Sequence, residues 1–485
     1  MKSSMNSDHG ENKRYDFTIH TYGCKVNTYD TGLLQKRFEA RGHRYVPSSI
    51  NDFGLGARKP QIHILNTCAV TAEATREAAK SVRRIKAKDP FATLVITGCG
   101  AQVDGEVFDT LTGVDLVVAN SHKGQLEWIL DEFFKGQLKE KVFRSNIFRK
   151  DDLEVGGGIE AGHTRAFLKI QDGCNSFCTY CVIPFARGRS RSIPVRELVK
   201  RVRELSHSGV HEVVLTGVHI GDYEDEGQNR KYDLADLIEQ ILEQTEIPRI
   251  RLTSLEPGEL TPKLLALYKN ERMCPHFHMS IQSANSKILG AMRRKYSAED
   301  VELSLKAIED VAPNAFVGMD VIVGFPGESD DDFLDTYSRL EKLPWSRIHV
   351  FPYSERPGTK AVHLDGSVPR DLRSLRSQRL RDLSSVRYET RARQQIGATK
   401  KVLLLRVNEK GIDGLSRDYW PIKIVSSVGL QGFTANDLHR YSSLIGHEID
   451  VRVTAFDEPI SGRMDGVLMG REVRRVDGSE SSNEV

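Results

Sequence analysis

From Asp16 to Glu328, short apolar runs alternate with helix-compatible stretches. Parallel strands need long crossovers, usually helices, so this alternation predicts parallel sheets covered by helices. In the first series "DFTIHTYG", "QIHILNT", "FATLVITG" and "GVDLVVAN" read as strands. "TYDTGLLQKRFEARG" reads as a helix ending at Gly42, and "TAEATREAAKSVRRIKAKDP" as a helix stopped by Pro90. "PSSINDFGLGARKP" reads as a loop insertion. Together these predict an α/β domain over residues 15–134 built on a doubly wound parallel sheet.

Periodicity fades over 135–162, where "EVGGGIEAG" reads as a linker. A second series follows over 163–395, with "RAFLKIQ", "HEVVLTGV", "RIRLTSLEP", "HFHMSIQS" and "FVGMDVIVGFPGE" as its strands. About six repeats without a dinucleotide fingerprint predict a full or partial (β/α) barrel. "PRDLRSLRSQRLRDLSSVRYETRAR" reads as one helix leaving the barrel, with Leu372, Leu375, Leu380, Leu383 and Val386 as its apolar stripe. The period then becomes two in "HEIDVRVTAF". With "KKVLLLRV" and "LSRDYWPIKIV", this predicts a small antiparallel β-barrel over 396–470. The tail 471–485 is disordered by composition.

The balance of 69 basic and 67 acidic residues excludes a globally basic nucleic-acid binder, so any basic footprint is local. No apolar run approaches the ~20 residues of a membrane span, and the polar N-terminus lacks a secretory signal. A cytoplasmic location is the expectation. There, seven cysteines point to metal or redox chemistry rather than disulfides.

Three of those cysteines, Cys174, Cys178 and Cys181, fall within "DGCNSFCTYC". Zinc accepts such spacings, but a structural zinc site wants four ligands and no second pair follows nearby. Three thiolates fit a [4Fe–4S] cluster with one iron open to a small molecule. Cys24, Cys68 and Cys99 lie far apart in sequence, yet each follows a strand in "TYGCKVN", "LNTCAVT" or "ITGCGAQ". Parallel strands would bring all three to one carboxyl edge, where open α/β sheets bind ligands. Unrelated small hydrophobes at strand ends are the alternative. Cys274 has no partner in this scheme and reads as structural.

C-x3-C-x2-C after the first strand of a β/α barrel resembles the radical S-adenosylmethionine (SAM) superfamily. "GCKVNTYDT", "NTCAVTAEATREAAK", "TGCGAQ", "QDGCNSFCTYCVIPFARGRSRS", "LTGVHIGDY", "TSLEP" and "QSANSKILGAMRRKY" extend the resemblance to the methylthiotransferase family over about residues 15–470. The resemblance implies two [4Fe–4S] clusters. The one on Cys174, Cys178 and Cys181 binds SAM and splits it to a 5′-deoxyadenosyl radical. The auxiliary one on Cys24, Cys68 and Cys99 handles sulfur. Further implied SAM neighbours are Gly217, Ser254, Glu256, Gln282, Ile322 and Gly324.

Arg187, Arg189 and Arg191 in "ARGRSRS" are candidates for RNA phosphate contact. The C-terminal barrel resembles the RNA-binding TRAM domain, where Arg417, Tyr419 and Trp420 would form a stacking surface. The implied activity is methylthiolation of an adenine ring carbon in the tRNA anticodon stem–loop, in the enzyme class EC 2.8.4.-, subclass 2.8.4.5. It requires an electron donor such as flavodoxin or ferredoxin, and a sulfur source. "GCKVN" with "NTCAVT" resembles the subgroup acting on N6-threonylcarbamoyladenosine beside the anticodon. Sister subgroups act on isopentenyladenosine or a ribosomal-protein aspartate. A non-catalytic iron–sulfur RNA-binding or redox-sensing protein, and a zinc-binding structural protein, are readings of other classes.

Overall fold

The computed structural model describes residues 14–47, 59–149, 164–227, 230–408, 411–425, 433–458 and 466–473. Most of the expected loop insertion and tail, and the Gly-rich part of the linker, lie outside them. The chain divides into two units: residues 1–160 with 181–189, and residues 161–180 with 190–485.

The first unit is built on six parallel strands: β1 (Asp16–Thr21), β2 (Arg44–Tyr45), β3 (Ile62–Thr67), β4 (Thr93–Thr97), β5 (Leu116–Ala119) and β6 (Val142–Phe143). Their order is β2-β1-β3-β4-β5-β6. The winding therefore reverses between β1 and β3. One face packs Phe17, Ile64 and Val118 against Leu34 and Phe38 of the helix Lys25–Ala40 and Ile129 of the helix Leu126–Phe134. The other packs Leu65, Ile96 and Val117 against Ala78, Val82 and Ile85 of the helix Ala72–Lys88. Burial on both faces explains why these strands are continuously apolar. β6 falls within the stretch expected to be linker. Its two residues are too short to leave a periodic signal, and Phe143 packs against the sheet's core.

The second unit holds β7 (Arg165–Lys169), β8 (Gln171–Asp172), β9 (Arg191–Ser192), β10 (Glu212–Thr216), β11 (Arg249–Leu252), β12 (His276–Gln282), β13 (Phe316–Val323) and β14 (Arg347–Pro352). Two parallel three-stranded sheets, β11-β10-β7 and β12-β13-β14, meet at a bridge between Leu255 and Met279. This is a partial barrel of six strands. β14, in "RIHVFP", was not among the strands named from sequence; it breaks the apolar pattern, since His349 and Phe351 are exposed.

The helix Arg370–Arg393 forms as expected, but on a different face. Its buried residues are Arg373, Arg376, Ser377, Leu380, Ser384, Tyr388 and Ala392, while Leu375 and Val386 are exposed. Arg376 is drawn inward by Glu328 at 2.6 Å, and Arg373 by the Tyr353 carbonyl at 2.9 Å. Arginine stems pack well once their heads are bonded, so charge did not mark the outside.

The remaining strands are β15 (Thr399–Asn408), β16 (Gly411–Ser416), β17 (Pro421–Ile424), β18 (Glu448–Asp457) and β19 (Val467–Glu472). They close a barrel in the order β15-β16-β17-β19-β18. The expected all-antiparallel pairing holds except between β17 and β19, which run parallel. "LSRDYWPIKIV" holds the turn of a hairpin between β16 and β17, with Tyr419 at φ of 70°.

Two cysteine sites and their charged supports

Cys24, Cys68 and Cys99 stand three, one and two residues beyond the ends of β1, β3 and β4, which are neighbours in the sheet. All three therefore lie on its carboxyl edge, and Cys24 and Cys68 flank the reversal in winding. Glycines make the approach possible. Gly23 has φ of 95°, and a Cβ there would lie 2.6 Å from the Cys68 sulfur. Gly98 has φ of 92°, and its Cβ would lie 2.4 Å from the Thr67 carbonyl. Burial pushes the Cys68 thiol up to about 12, and the neighbouring charges of Cys99 and Cys24 add to the rise. Burial also raises the Cys99 thiol, against the opposing pull of Arg187.

Behind the cysteines lies a polar network that sequence reasoning missed. Arg187 Nε donates to Cys99 Sγ at 3.2 Å. The same guanidinium bonds Asn27 Oδ1 at 2.6 Å and pairs with Asp30 at 3.1 Å. Lys123 meets Asp30 at 3.2 Å, and Asn120 Nδ2 lies 3.6 Å from Cys99 Sγ. Asn66 Nδ2 donates to the Asn27 carbonyl at 2.9 Å. Two cations thus share one carboxylate at the base of three thiols, which leaves a net positive wall for thiolate charge. The asparagines and the aspartate sit in "GCKVNTYD" and "LNTC", so buried polar residues beside the cysteines were the available signal. Arg187 is only 4% exposed and is not available to phosphate; its charge is spent on the cysteine site. Arg189 is exposed and Arg191 half-buried.

Arg187 ends the short helix Ile183–Arg187, which follows Cys181 in the first unit. Val182 and Ala186 pack against Cys99 and Ala69, and the Ala186 carbonyl accepts from Asn120 at 2.9 Å. Cys181 Sγ accepts from the Ile183 N–H at 3.5 Å.

In the second unit, Cys174 and Cys178 are joined by a chain of charges. Cys174 Sγ is 3.8 Å from His219 Nδ1, and His219 Nε2 is 3.3 Å from Glu256. Glu256 pairs with Arg294 at 2.8 Å, and Arg294 Nη1 donates to Cys178 Sγ at 3.2 Å. One carboxylate thus braces two cations, each touching one cysteine. His219 also bonds Asp222 and Glu259. Burial alone would strip its proton, but bonds to Asp222, Cys174 and Glu259 raise its pKa well above the usual range. For Cys174, burial opposes ionisation, yet the bonds from His219 and Ser176 outweigh it and lower the pKa. A Cβ at Gly221 would lie 1.9 Å from the Glu259 carboxylate carbon, so a larger residue there would displace that carboxylate.

The other SAM candidates divide into two groups. Ser254 and Gln282, at the carboxyl ends of β11 and β12, hold φ of 57° and 60°. Phe177 in the cysteine loop has φ of 47° and Arg293, beside Arg294, 60°. Non-glycine residues rarely adopt this region, and such strain gathers at functional sites. Ile322 lines the same end of β13, partly buried against Phe325. Gly217 and Gly324 have packing reasons of their own. A Cβ at 217 would lie 2.9 Å from the Gln171 carbonyl, and one at 324 would lie 2.3 Å from Arg373 Cγ.

The barrel aromatics are committed elsewhere. Trp420 is 2% exposed in the barrel core, because the hairpin turn folds it inward. It is not a stacking surface. Tyr419 stacks on His276 at 4.0 Å beneath Arg251, and Arg417 bonds Glu448 at 2.9 Å. Cys274 is fully buried behind β11, where its N–H donates to the Ile250 carbonyl at 2.9 Å.

Residues 16–119 match the Uncharacterized protein family UPF0004, and residues 168–340 match the Radical SAM superfamily. Threonylcarbamoyladenosine tRNA methylthiotransferase MtaB of Aquifex aeolicus is 36% identical, over 84% of this chain and 95% of that one. Its namesake in Bacillus subtilis is 34% identical over 76% and 79%. The chain belongs to the radical SAM tRNA methylthiotransferase family.

As a radical SAM methylthiotransferase it is an enzyme that works with SAM and iron–sulfur chemistry. The donor sets described above fit that chemistry: thiols backed by N–H donors and cations, as cluster thiolates require. A sister enzyme, tRNA-2-methylthio-N(6)-dimethylallyladenosine synthase of Staphylococcus epidermidis, is 30% identical over 76% and 71% of the two chains. In fold the methylthiotransferase is similar to the radical SAM methyltransferase TsrM of Kitasatospora setae, with TM-score 0.56 and 13% identity over 71% and 76%. Among its described residues, no helix is long and apolar enough to cross a membrane.

Proposed function

We propose that the enzyme converts N6-threonylcarbamoyladenosine at position 37 of tRNA to its 2-methylthio derivative, using two [4Fe–4S] clusters. The observation that carries this reading is the pair of cysteine triplets, each set at strand carboxyl ends and backed by a cation. The seventh cysteine, Cys274, is buried, with its N–H bonded to the Ile250 carbonyl of β11. When bound, the cluster on Cys174, Cys178 and Cys181 supplies the electron that splits SAM, while the cluster on Cys24, Cys68 and Cys99 carries the sulfur to be methylated and transferred.

The chain's own residues hold and tune these groups. His219 and Arg294 fix the Cys174 and Cys178 sulfurs through Glu256. Arg187 and Asn120 do the same for Cys99. The strained main chain at Ser254 and Gln282, with Ile322 beside them, is the proposed SAM cradle. Arg189 and Arg191 remain the phosphate contacts next to the cysteine loop, and the C-terminal barrel serves as the TRAM-type RNA module. Its cationic face is better placed at Arg452 and Arg471, which lie opposite each other on β18 and β19, both exposed. Like charges set directly opposite cost stability, a cost that a bound phosphate removes. An electron donor such as flavodoxin or ferredoxin and a sulfur source complete the requirements.

Mass spectrometry of tRNA nucleosides after deletion of the gene tests the reading. Loss of the methylthio derivative of threonylcarbamoyladenosine, with the isopentenyl derivative intact, supports it. The reverse pattern overturns it.

A further inference from the structure

The helix Ala72–Lys88 begins four residues after Cys68 and is followed by β4 from Thr93. It therefore runs from the cysteine edge of the first sheet back to the opposite edge. It carries six basic and two acidic residues, a net charge of +4, whereas the whole chain has +2. Thr75, Ala78, Ala79, Val82 and Ile85 are buried and mark its inward side. Arg76, Lys80, Arg83 and Arg84 recur at helical spacing and are all exposed, so they form one outward ridge.

The two acids neutralise only the first half of that ridge. Glu73 pairs with Arg76 at 2.5 Å, and Glu77 lies 3.7 Å from Lys80. Further on, Lys86 turns to Asp115 at 3.1 Å. The guanidiniums of Arg83 and Arg84 have no ion-pair or hydrogen-bond partner among the described residues. Three residues past the helix, Phe91 is 96% exposed, the most of any large apolar side chain described. Its N–H donates to Asp89 at 3.2 Å, so the turn that presents the ring is itself bonded.

Arginine forks match phosphate oxygens, and an exposed ring offers its face to a nucleobase. A ridge of bare cations, with no carboxylate to offer a basic partner, is complementary to a polyanion. We propose that Arg83, Arg84 and Phe91 form a docking surface for tRNA on the first unit, with the arginines on backbone phosphates and Phe91 against an unpaired base. The two arginines stand about 17 Å along the helix from its start beside Cys68, at about 1.5 Å per residue. At about 3.4 Å per nucleotide this spans about five nucleotides, which puts the contacted phosphates in the stem flanking the reacting loop. The surface rests on the tRNA reading given above, and not on which N6 substituent is recognised.

The test measures tRNA binding to cluster-loaded full-length protein across a range of salt concentrations. Arg83→Gln with Arg84→Gln should lower the slope of log affinity against log salt by about 1.4 to 1.8, the worth of two phosphates. Phe91→Ala should weaken binding about fivefold or more. Lys306→Gln with Lys342→Gln removes two exposed charges from helices of the second unit and should leave the slope unchanged. tRNA with unmodified adenosine at position 37 should show the same slope change, so failure of the substituent reading leaves this result standing. An RNA of the anticodon loop alone should bind the arginine variant as it binds wild type. An unchanged slope in the arginine variant, at wild-type iron content and unfolding temperature, overturns the proposal. So does an equal loss in the lysine variant or with the loop RNA. Slower reduction by flavodoxin with tRNA binding intact overturns it in favour of an acidic electron-donor protein. Failure of wild-type protein to bind tRNA overturns the tRNA reading, and the surface with it.

Discussion

Arg187 Nε sits 3.2 Å from Cys99 Sγ, with both side chains buried. A hydrogen bond to a cluster thiolate stabilises the more electron-rich state, and a buried cation does the same. Arg187→Met should therefore shift the auxiliary cluster to a more negative reduction potential, and Arg187→Lys should restore part of the difference. A redox titration followed by electron paramagnetic resonance, with Cys174, Cys178 and Cys181 replaced by alanine, isolates that cluster. An unmoved potential would remove the tuning role.

Gly23→Ala places a methyl group 2.6 Å from both Cβ and Sγ of Cys68, in a backbone region that non-glycine residues avoid. The expected cost is about 1–3 kcal/mol of strain. Iron content should fall by about half, because only the auxiliary triplet is displaced. Iron analysis together with denaturant unfolding checks both parts.

His20 and His63 face each other across β1 and β3, with Nε2 of His20 3.0 Å from Nδ1 of His63. Burial lowers both to about 4, and the charge of His63 adds to the drop at His20. Neutral histidines buried in the fold bind protons on unfolding once the pH is below about 6.5. Stability of the first unit is thus complete above that value. It is lost between about pH 6.5 and 4, at up to about 1.4 kcal/mol per pH unit for each histidine. His20→Phe combined with His63→Leu should flatten the slope in urea unfolding curves recorded across this range.

Glu212 is fully buried between Arg249 at 2.7 Å and Arg251 at 3.0 Å. Arg249 also reaches Glu448 at 2.7 Å and the Ser416 carbonyl at 3.2 Å, so the triad ties β10 and β11 to the C-terminal barrel. Glu212→Gln leaves two buried guanidiniums short of charge. A loss of about 3–5 kcal/mol is expected in urea unfolding. A change below about 0.5 kcal/mol, within the usual range for surface substitutions, would show that the triad is not under load.

The α/β alternation and the positions of the cysteines were legible because they rest on local rules: strand patterns, helix stops, and a cysteine shortly after a strand. What could not be read was burial of charge. Arg187, Arg373 and Arg376 look like surface residues in sequence, and each is turned inward by partners up to 160 residues away. Trp420 misled for the same kind of reason: a turn at Tyr419, with no glycine to announce it, folds the indole into the core. The network of His219, Glu256 and Arg294 joins three separate loops, and no spacing within one segment records that.

The proposed reaction needs two clusters in one chain. Iron and acid-labile sulfide analysis of anaerobically reconstituted protein, with Mössbauer spectra, tests it most directly. Wild-type protein should hold about eight irons, and replacing either cysteine triplet by alanine should leave about four in a cubane spectrum. About four irons in the wild type, or no change when Cys24, Cys68 and Cys99 are replaced, would contradict it.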